Sequence, residues 1–341
     1  MDMRKHIFVA TCLLSVLFSC TEKKEQEVVP VQSLKHEVLM GDEYLIGKTR
    51  DLDLVNDSIP VVINSKSQKA FQILDYVSGS VCELGEIGQG PNEFLMPYSL
   101  SVNEGNAFSF YDLNRRRFST IYLNGEDGSW RVEHLFKSDS LVHLCILPIV
   151  NGQYIATGMY DDCRIVVLDN RGVFQKGFGE IPYRDEKERE VSGMIRSEAY
   201  QGQMSVNLSG NKVVHALQKG DMIYFYDIAD NGVLNLKSEQ VKSYPRYRYD
   251  SGAIEKESSL HYMSVCSTEE YVYALYSGRN YKDDKDNAFY GNTVRVYNWD
   301  GKLIKNLHLD VDVCEIAVTK DNRKIYAISY LPDPTLIVFE L

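Results

Sequence analysis

The chain has 341 residues, 37 of them Lys or Arg against 48 Asp or Glu, for a net charge of −11. Its only dense basic run is Arg115-Arg116-Arg117, which argues against nucleic acid as a partner, because phosphates are held by a basic patch. A chain this long can bury a large core without covalent staples, and its 7 cysteines are spaced too widely and irregularly for a disulfide framework or a CxxC metal motif.

Arg4 and Lys5 precede an apolar run from Ile7 to Phe18 and a small-residue site, the layout of an export signal. About a dozen apolar residues are too few for a membrane-spanning helix, which needs about 20, so residues 1–19 are expected to be removed. The segment ends in Leu17-Phe18-Ser19-Cys20, which resembles the lipobox of bacterial lipoproteins. That resemblance implies that Cys20 becomes an acylated first residue. Thr21 to Glu27 (TEKKEQE) contains no apolar residue, and residues 20–32 read as a polar tether. Several acyl chains hold a protein firmly, since each buried methylene contributes about 0.8 kcal/mol. Loss of residues 1–19 takes the net charge to −12. The expectation is a lipid-anchored protein of the bacterial cell envelope, at the outer membrane, facing the periplasm or the surface. The bilayer is its first partner.

From residue 33 to 341 helical periodicity is nearly absent. Short runs rich in Val, Ile, Tyr and Phe alternate with Gly, Asn and Asp turns, which is an all-β pattern. Five segments align on a shared strand–turn–strand unit: SLSVNEGNAFSFYD from Ser99, CILPIVNGQYIATGMYD from Cys145, MSVNLSGNKVVHAL from Met204, MSVCSTEEYVYALY from Met263 and EIAVTKDNRKIYAISY from Glu315. Third and fourth strands follow most of them across hairpin turns such as Ser78-Gly79, Asn124-Gly125, Arg171-Gly172, Asn231-Gly232 and Asp300-Gly301. A period of about 40 to 50 residues with four strands per unit signals propeller blades. The predicted blades are 48–86, 98–137, 142–180, 203–242, 262–309 and 311–341. The last has only three strands, so Leu34 to Met40 is the expected donor of the fourth, closing a six-bladed ring and covering its edge.

Between the first two blades lies Gly85 to Phe94, GEIGQGPNEF. Its Gly88 to Phe94 part resembles the GxGPGEF-type signature of six-bladed, TolB-like propeller lipoproteins of Gram-negative bacteria. Asn92 stands where that family usually carries Gly, and Asn tolerates the turn conformation such a site requires. The resemblance implies an architecture and a location but no reaction, for most members carry no assigned activity.

Strand parity places the connections between blades, and those between second and third strands, on one face. All the long connections fall there: Gly85 to Pro97, Gly177 to Gly202, Ser243 to His261 and Ser277 to Asn292. Long loops on a rigid scaffold often carry function, and Tyr and Arg are enriched in recognition hot spots. The candidate binding face is therefore Arg115, Arg116, Arg117, Tyr183, Arg184, Arg196, Tyr200, Arg246, Tyr247, Arg248, Tyr249, Arg279 and Tyr281. No GxSxG elbow, HExxH helix or phosphate loop is present. The run Asp283 to Asn287 lacks the glycine and distal Glu of an EF-hand loop. The expected function is a non-catalytic propeller, free of cofactors, that recognises an envelope protein, peptide or glycan. The enzymatic alternative is a gluconolactonase-like hydrolase with a divalent metal in the central channel, for which Asn103 and Asn207, with Cys266 at the equivalent inner-strand position, make a poor hard-cation site.

Overall fold

The computed structural model describes residues 29–45, 47–102, 105–124, 129–138 and 141–341. The export signal, Cys20 and most of the tether lie outside the described residues, as does Asn103. Two short strands come first, β1 (Val31–Leu34) and β2 (His36–Met40). Blade 1 is β3 (Lys48–Val55), β4 (Ile59–Ser65), β5 (Lys69–Asp75) and β6 (Ser80–Glu86). Blade 2 is β7 (Pro97–Val102), β8 (Ala107–Asp112), β9 (Arg117–Leu123) and β10 (Trp130–Lys137). Blade 3 is β11 (Val142–Pro148), β12 (Tyr154–Met159), β13 (Ile165–Leu168) and β14 (Phe174–Phe178), and blade 4 is β15 (Gly202–Val206), β16 (Lys212–Leu217), β17 (Asp221–Ile228) and β18 (Leu234–Ser243). Blade 5 is β19 (Tyr262–Ser267), β20 (Tyr271–Tyr276), β21 (Gly291–Asn298) and β22 (Leu303–Val313). Blade 6 is β23 (Glu315–Val318), β24 (Lys324–Ser329) and β25 (Thr335–Glu340). Each blade is an antiparallel meander, and the first strands β3, β7, β11, β15, β19 and β23 lie side by side in that order around the axis, with β23 returning to β3.

The burial of each strand follows its position. Middle strands have a blade on either side, so β8 (AFSFYD) is buried at every position and the two-residue alternation disappears. Outer strands face solvent, so β10 (WRVEHLFK) keeps only Phe136 buried. The core lies in six apolar seams, one between each pair of neighbouring blades. At the outer hairpins Gly172 and Gly232 each adopt a φ of 75°, a left-handed conformation that a β-carbon disfavours.

Ring closure follows the expected route, with one correction. β2 pairs antiparallel with β25, His36 opposite Phe339 and Met40 opposite Leu336, so the N-terminal segment completes the last blade. Leu34, expected in that same strand, belongs instead to β1. β1 runs parallel to β22 on the outer edge of blade 5, with Leu34 opposite Leu309. The chain crosses from one blade to the next at Lys35, and His36 Nδ1 meets Asp310 Oδ1 at 2.9 Å beside the crossing. Leu34 is buried in the seam of blades 5 and 6, which fixes β1 against blade 5.

Candidate functional site

Three of the long connections pack into one platform. In segment 179–201, between blades 3 and 4, two short helices form, α1 (Glu186–Arg189) and α2 (Gly193–Ala199). Asp185 caps α1 by accepting the Glu188 N–H. Glu188 is fully buried, and its carboxylate accepts the Arg184 N–H at 2.7 Å and the Tyr200 hydroxyl at 2.8 Å. Burial pushes the Tyr200 phenol far above its ordinary range, and the bond to Glu188 adds to the shift. Arg184 Nη2 reaches the Tyr249 hydroxyl at 2.8 Å, tying this segment to 244–261. The latter joins 277–290 through Leu260 N–H to Arg279 O at 2.7 Å and Lys282 N–H to Lys256 O at 2.9 Å. Arg279 clamps Asp312 with two bonds of 2.7 and 2.8 Å, a geometry that a fork-shaped guanidinium favours.

The structure therefore divides the expected Tyr and Arg set. Tyr200 and Tyr247 are 3% and 5% exposed, so they belong to the platform's interior and not to a contact surface. Arg184, Arg196 and Arg279 spend their donors on Tyr249, on the Val191 and Ile181 carbonyls, and on Asp312. Tyr183 is half-buried beneath the Arg189 guanidinium. The outward part is Arg184, Arg246, Arg248 and Tyr281, joined by Met194, Tyr244 and Phe289, which are 45%, 38% and 41% exposed. Met194 and Phe289 were missed because an apolar residue in a loop carries no sequence signal of exposure. Arg246 and Arg248 form open pairs with Glu255 and Asp250, which bind weakly enough to exchange for a partner.

The fourth long connection stands apart, beside Arg115 to Arg117. Arg115 Nη2 donates to the Gly88 and Gly90 carbonyls at 2.8 and 2.9 Å, so this arginine builds the loop. Arg117 lies in β9 opposite Lys137, and Arg116 is exposed at the turn. Alongside, a broad surface cleft opens between blades 1 and 2, lined by Lys69, Glu83, Glu86, Asn92, Trp130 and Arg131 among others. Its mixed charges came from two blades, so no single sequence window displayed them.

The channel wall is stitched by side chains that reach the neighbouring inner strand. The Leu100 and Val102 N–H groups donate to Asp51 Oδ2 at 2.7 Å and Asp53 Oδ2 at 2.9 Å. Ser99 and Ser264 hydroxyls accept the Ile146 and Ile316 N–H groups. Burial pushes the Asp51 carboxyl up to about 7 despite the Leu100 bond, and the Asp53 charge adds to the rise. Glu315 is raised too, by burial first and by Asp51 second. Burial lifts the Cys145 thiol to about 12 and raises Cys266 and Cys314, which makes these thiols poor nucleophiles. All five cysteines of the described residues are free. Asn207 is committed to its own turn: Oδ1 accepts the Asn211 and Lys212 N–H groups, and Nδ2 donates to Asn211 and Glu269. No oxygen of it is left for a metal. Among the described residues no group of three His, Cys, Asp or Glu side chains is placed to hold an ion.

The family model described as TolB-like 6-blade propeller-like matches residues 33–321, from within β1 into the last blade. The chain belongs to the TolB-like six-bladed propeller family. No curated protein matches it. For this TolB-like propeller the Gly88 to Phe94 signature has a structural task. Glu93 caps the Gly90 N–H, Gly88 N–H closes onto the Phe94 carbonyl at 2.9 Å, and Phe94 is driven between blades 1 and 2, 1% exposed.

Proposed function

We propose that this TolB-like propeller is a lipid-anchored, non-catalytic binding module of the cell envelope that engages a protein, peptide or glycan through its long-loop platform. The observation that carries this reading is the exposure of Met194, Tyr244, Tyr281 and Phe289 on loops held from beneath by Glu188, Arg184 and Arg279. A rigid support under exposed aromatic groups lowers the entropy lost on binding. The anchor rests on the Leu17 to Cys20 box and the polar stretch after it.

Two experiments test the two halves. A photo-crosslinking residue at Tyr281 or Phe289, in native envelopes, is expected to give a discrete adduct; the same residue at Leu208, exposed on a connection of the other face, gives none. Adducts at Leu208 alone, or at Trp130 alone, would move the site to the opposite face or to the cleft. For the anchor, Cys20→Ser is expected to abolish acylation and release the protein from the detergent phase; a variant that matures normally and stays membrane-bound overturns it.

A further inference from the structure

The seam between blades 3 and 4 contains a buried cation that makes no ion pair among the described residues, the buried Glu188 carboxylate being engaged by the Arg184 N–H and the Tyr200 hydroxyl. Arg164 immediately precedes β13, and its backbone N–H is pinned to the Gly179 carbonyl at 2.8 Å. Its side chain is 9% exposed. The guanidinium lies 3.6 Å over the Tyr224 ring and donates from Nη2 to the Tyr226 hydroxyl at 2.8 Å. Nε and Nη1 have no hydrogen-bond partner among the described residues, and no carboxylate there pairs with this arginine. A charge removed from water in this way is costly unless an opposite charge meets it.

The same small cavity is lined by two further groups of that kind. His215, from the middle of β16, is 2% exposed with both ring nitrogens unpartnered. Thr157, from β12, is 2% exposed with its hydroxyl unpartnered. The remaining polar lining groups are occupied: Ser197 donates to the Met194 carbonyl, Gln201 to the Gly158 and Ser197 carbonyls, and Tyr200 to Glu188. What is left over is a guanidinium edge, a hydroxyl and an imidazole, all able to donate a proton and only one of them charged. A water molecule could accept from them but leaves the charge of Arg164 uncompensated. The clear space admits the centre of about one water-sized sphere, too little for phosphate or a carboxylic acid.

We propose that this cavity is a binding site for a single monovalent anion of halide size, chloride in practice, held by Arg164, His215 and Thr157. Burial and the Arg164 charge hold His215 near a pKa of about 3, so it meets the ion as a neutral imidazole donating one N–H. Ile181, Ser197 and Tyr200 of segment 179–201 also line the cavity, which puts the ion under one end of the loop platform. The inference stands whether or not that platform binds a partner.

The test is melting of the purified full chain at constant ionic strength in gluconate, sulfate, chloride and bromide. A ligand that binds only the folded state raises the melting temperature saturably, so chloride and bromide are expected to do so, whereas sulfate gives only the non-saturating rise of an excluded salt and gluconate gives no saturable rise. Thr157→Val, close to isosteric, is expected to weaken the chloride response several-fold, and Arg164→Gln to remove it. Should Arg164→Gln fail to fold, a crystal grown in bromide decides alone, with anomalous density expected within hydrogen-bonding reach of Arg164 Nη1. A melting temperature indifferent to the anion, an equally saturable response to sulfate that Arg164→Gln removes, or a water peak without anomalous signal overturns the site.

Discussion

At the scale of single residues, the acids of the channel wall make stability depend on pH in a direction opposite to most carboxylates. Burial raises the Asp51 carboxyl from its ordinary 3.8 to about 7, and Asp51 and Glu315 titrate as an interacting pair. Over the interval between those values the folded chain holds a proton that the unfolded chain has lost. This stabilising term is complete below about pH 4 and disappears as the pH rises through about 7. Asp51→Asn keeps an oxygen for the Leu100 N–H and cannot ionise. The melting temperature of the variant minus that of the wild type is therefore expected to be smallest near pH 4.5 and to grow more positive up to pH 8. At pH 8 the gain is about 2 to 4 °C for each kcal/mol recovered, on the scale measured for domains of somewhat smaller size. Thermal melts across that range check it, and a difference that stays constant with pH would place the titrating group elsewhere. Asp51 and Asp53 were visible in the sequence as the polar positions of KTRDLDLV, but not their pairing with Leu100 and Val102, which sit on the next blade. Arg164 and His215 were harder still. Each is one polar residue beside or within an apolar strand, RIVVL and KVVHAL, and their shared cavity forms only when blades 3 and 4 stack.

The elements of the ring were legible where local chemistry determines them. Two-residue alternation, hairpin glycines and a repeat near 45 residues each follow from strand geometry within one blade. β1 was not, because it is four residues long, exposed at its first three positions and paired in parallel to a strand some 275 residues away. The signature loop lies between these cases: its residues were conspicuous, its task was not. Gly85 has a φ of +77°, and a β-carbon there would lie 2.7 Å from Phe94 Cε2. Phe94 itself packs against Phe71 and Phe110 at centroid distances of 5.6 and 4.9 Å. Gly85→Ala thus meets both an unfavourable backbone and a steric clash, and is expected to cost about 1–3 kcal/mol. Phe94→Leu relieves the clash but not the backbone strain. In urea unfolding the double variant is expected to lose less than the two single variants added together, since both act on one contact. Strict additivity would mean that the backbone angle alone sets the cost and that the loop does not depend on the Gly85–Phe94 contact.

For the whole molecule, closure of the ring is the step that joins its two ends. Strand β25 carries Leu336, Ile337, Val338 and Phe339, all buried, and its outer edge is covered by β2 through the pairs from His36–Phe339 to Met40–Leu336. Met40 is 3% exposed in the seam between blades 6 and 1, a burial that contributes about 1.5–3 kcal/mol by itself. Without β2 that edge is an apolar template to which other chains can add. The parallel strand β1 is different. It covers a blade that already has four strands, and Leu34 is its one buried side chain. The two strands should therefore separate in a truncation series. A chain begun at residue 29 is expected to melt like one begun at Cys20, because the first strand begins only at Val31 and the sequence before it reads as a polar tether. A chain begun at residue 36 loses β1 and Leu34, and should remain a soluble, cooperative domain that is less stable by a few kcal/mol, within the range for deleting a buried leucine side chain and a short set of edge hydrogen bonds. A chain begun at residue 42 loses β2 as well and is expected to aggregate or remain unfolded. Size-exclusion chromatography and thermal melts distinguish the three. A monodisperse protein of undiminished melting temperature from residue 42 would show that the last blade does not depend on the N-terminal strand. Collapse already at residue 36 would instead make the crossing at Lys35, with its His36–Asp310 contact, the fastening that matters.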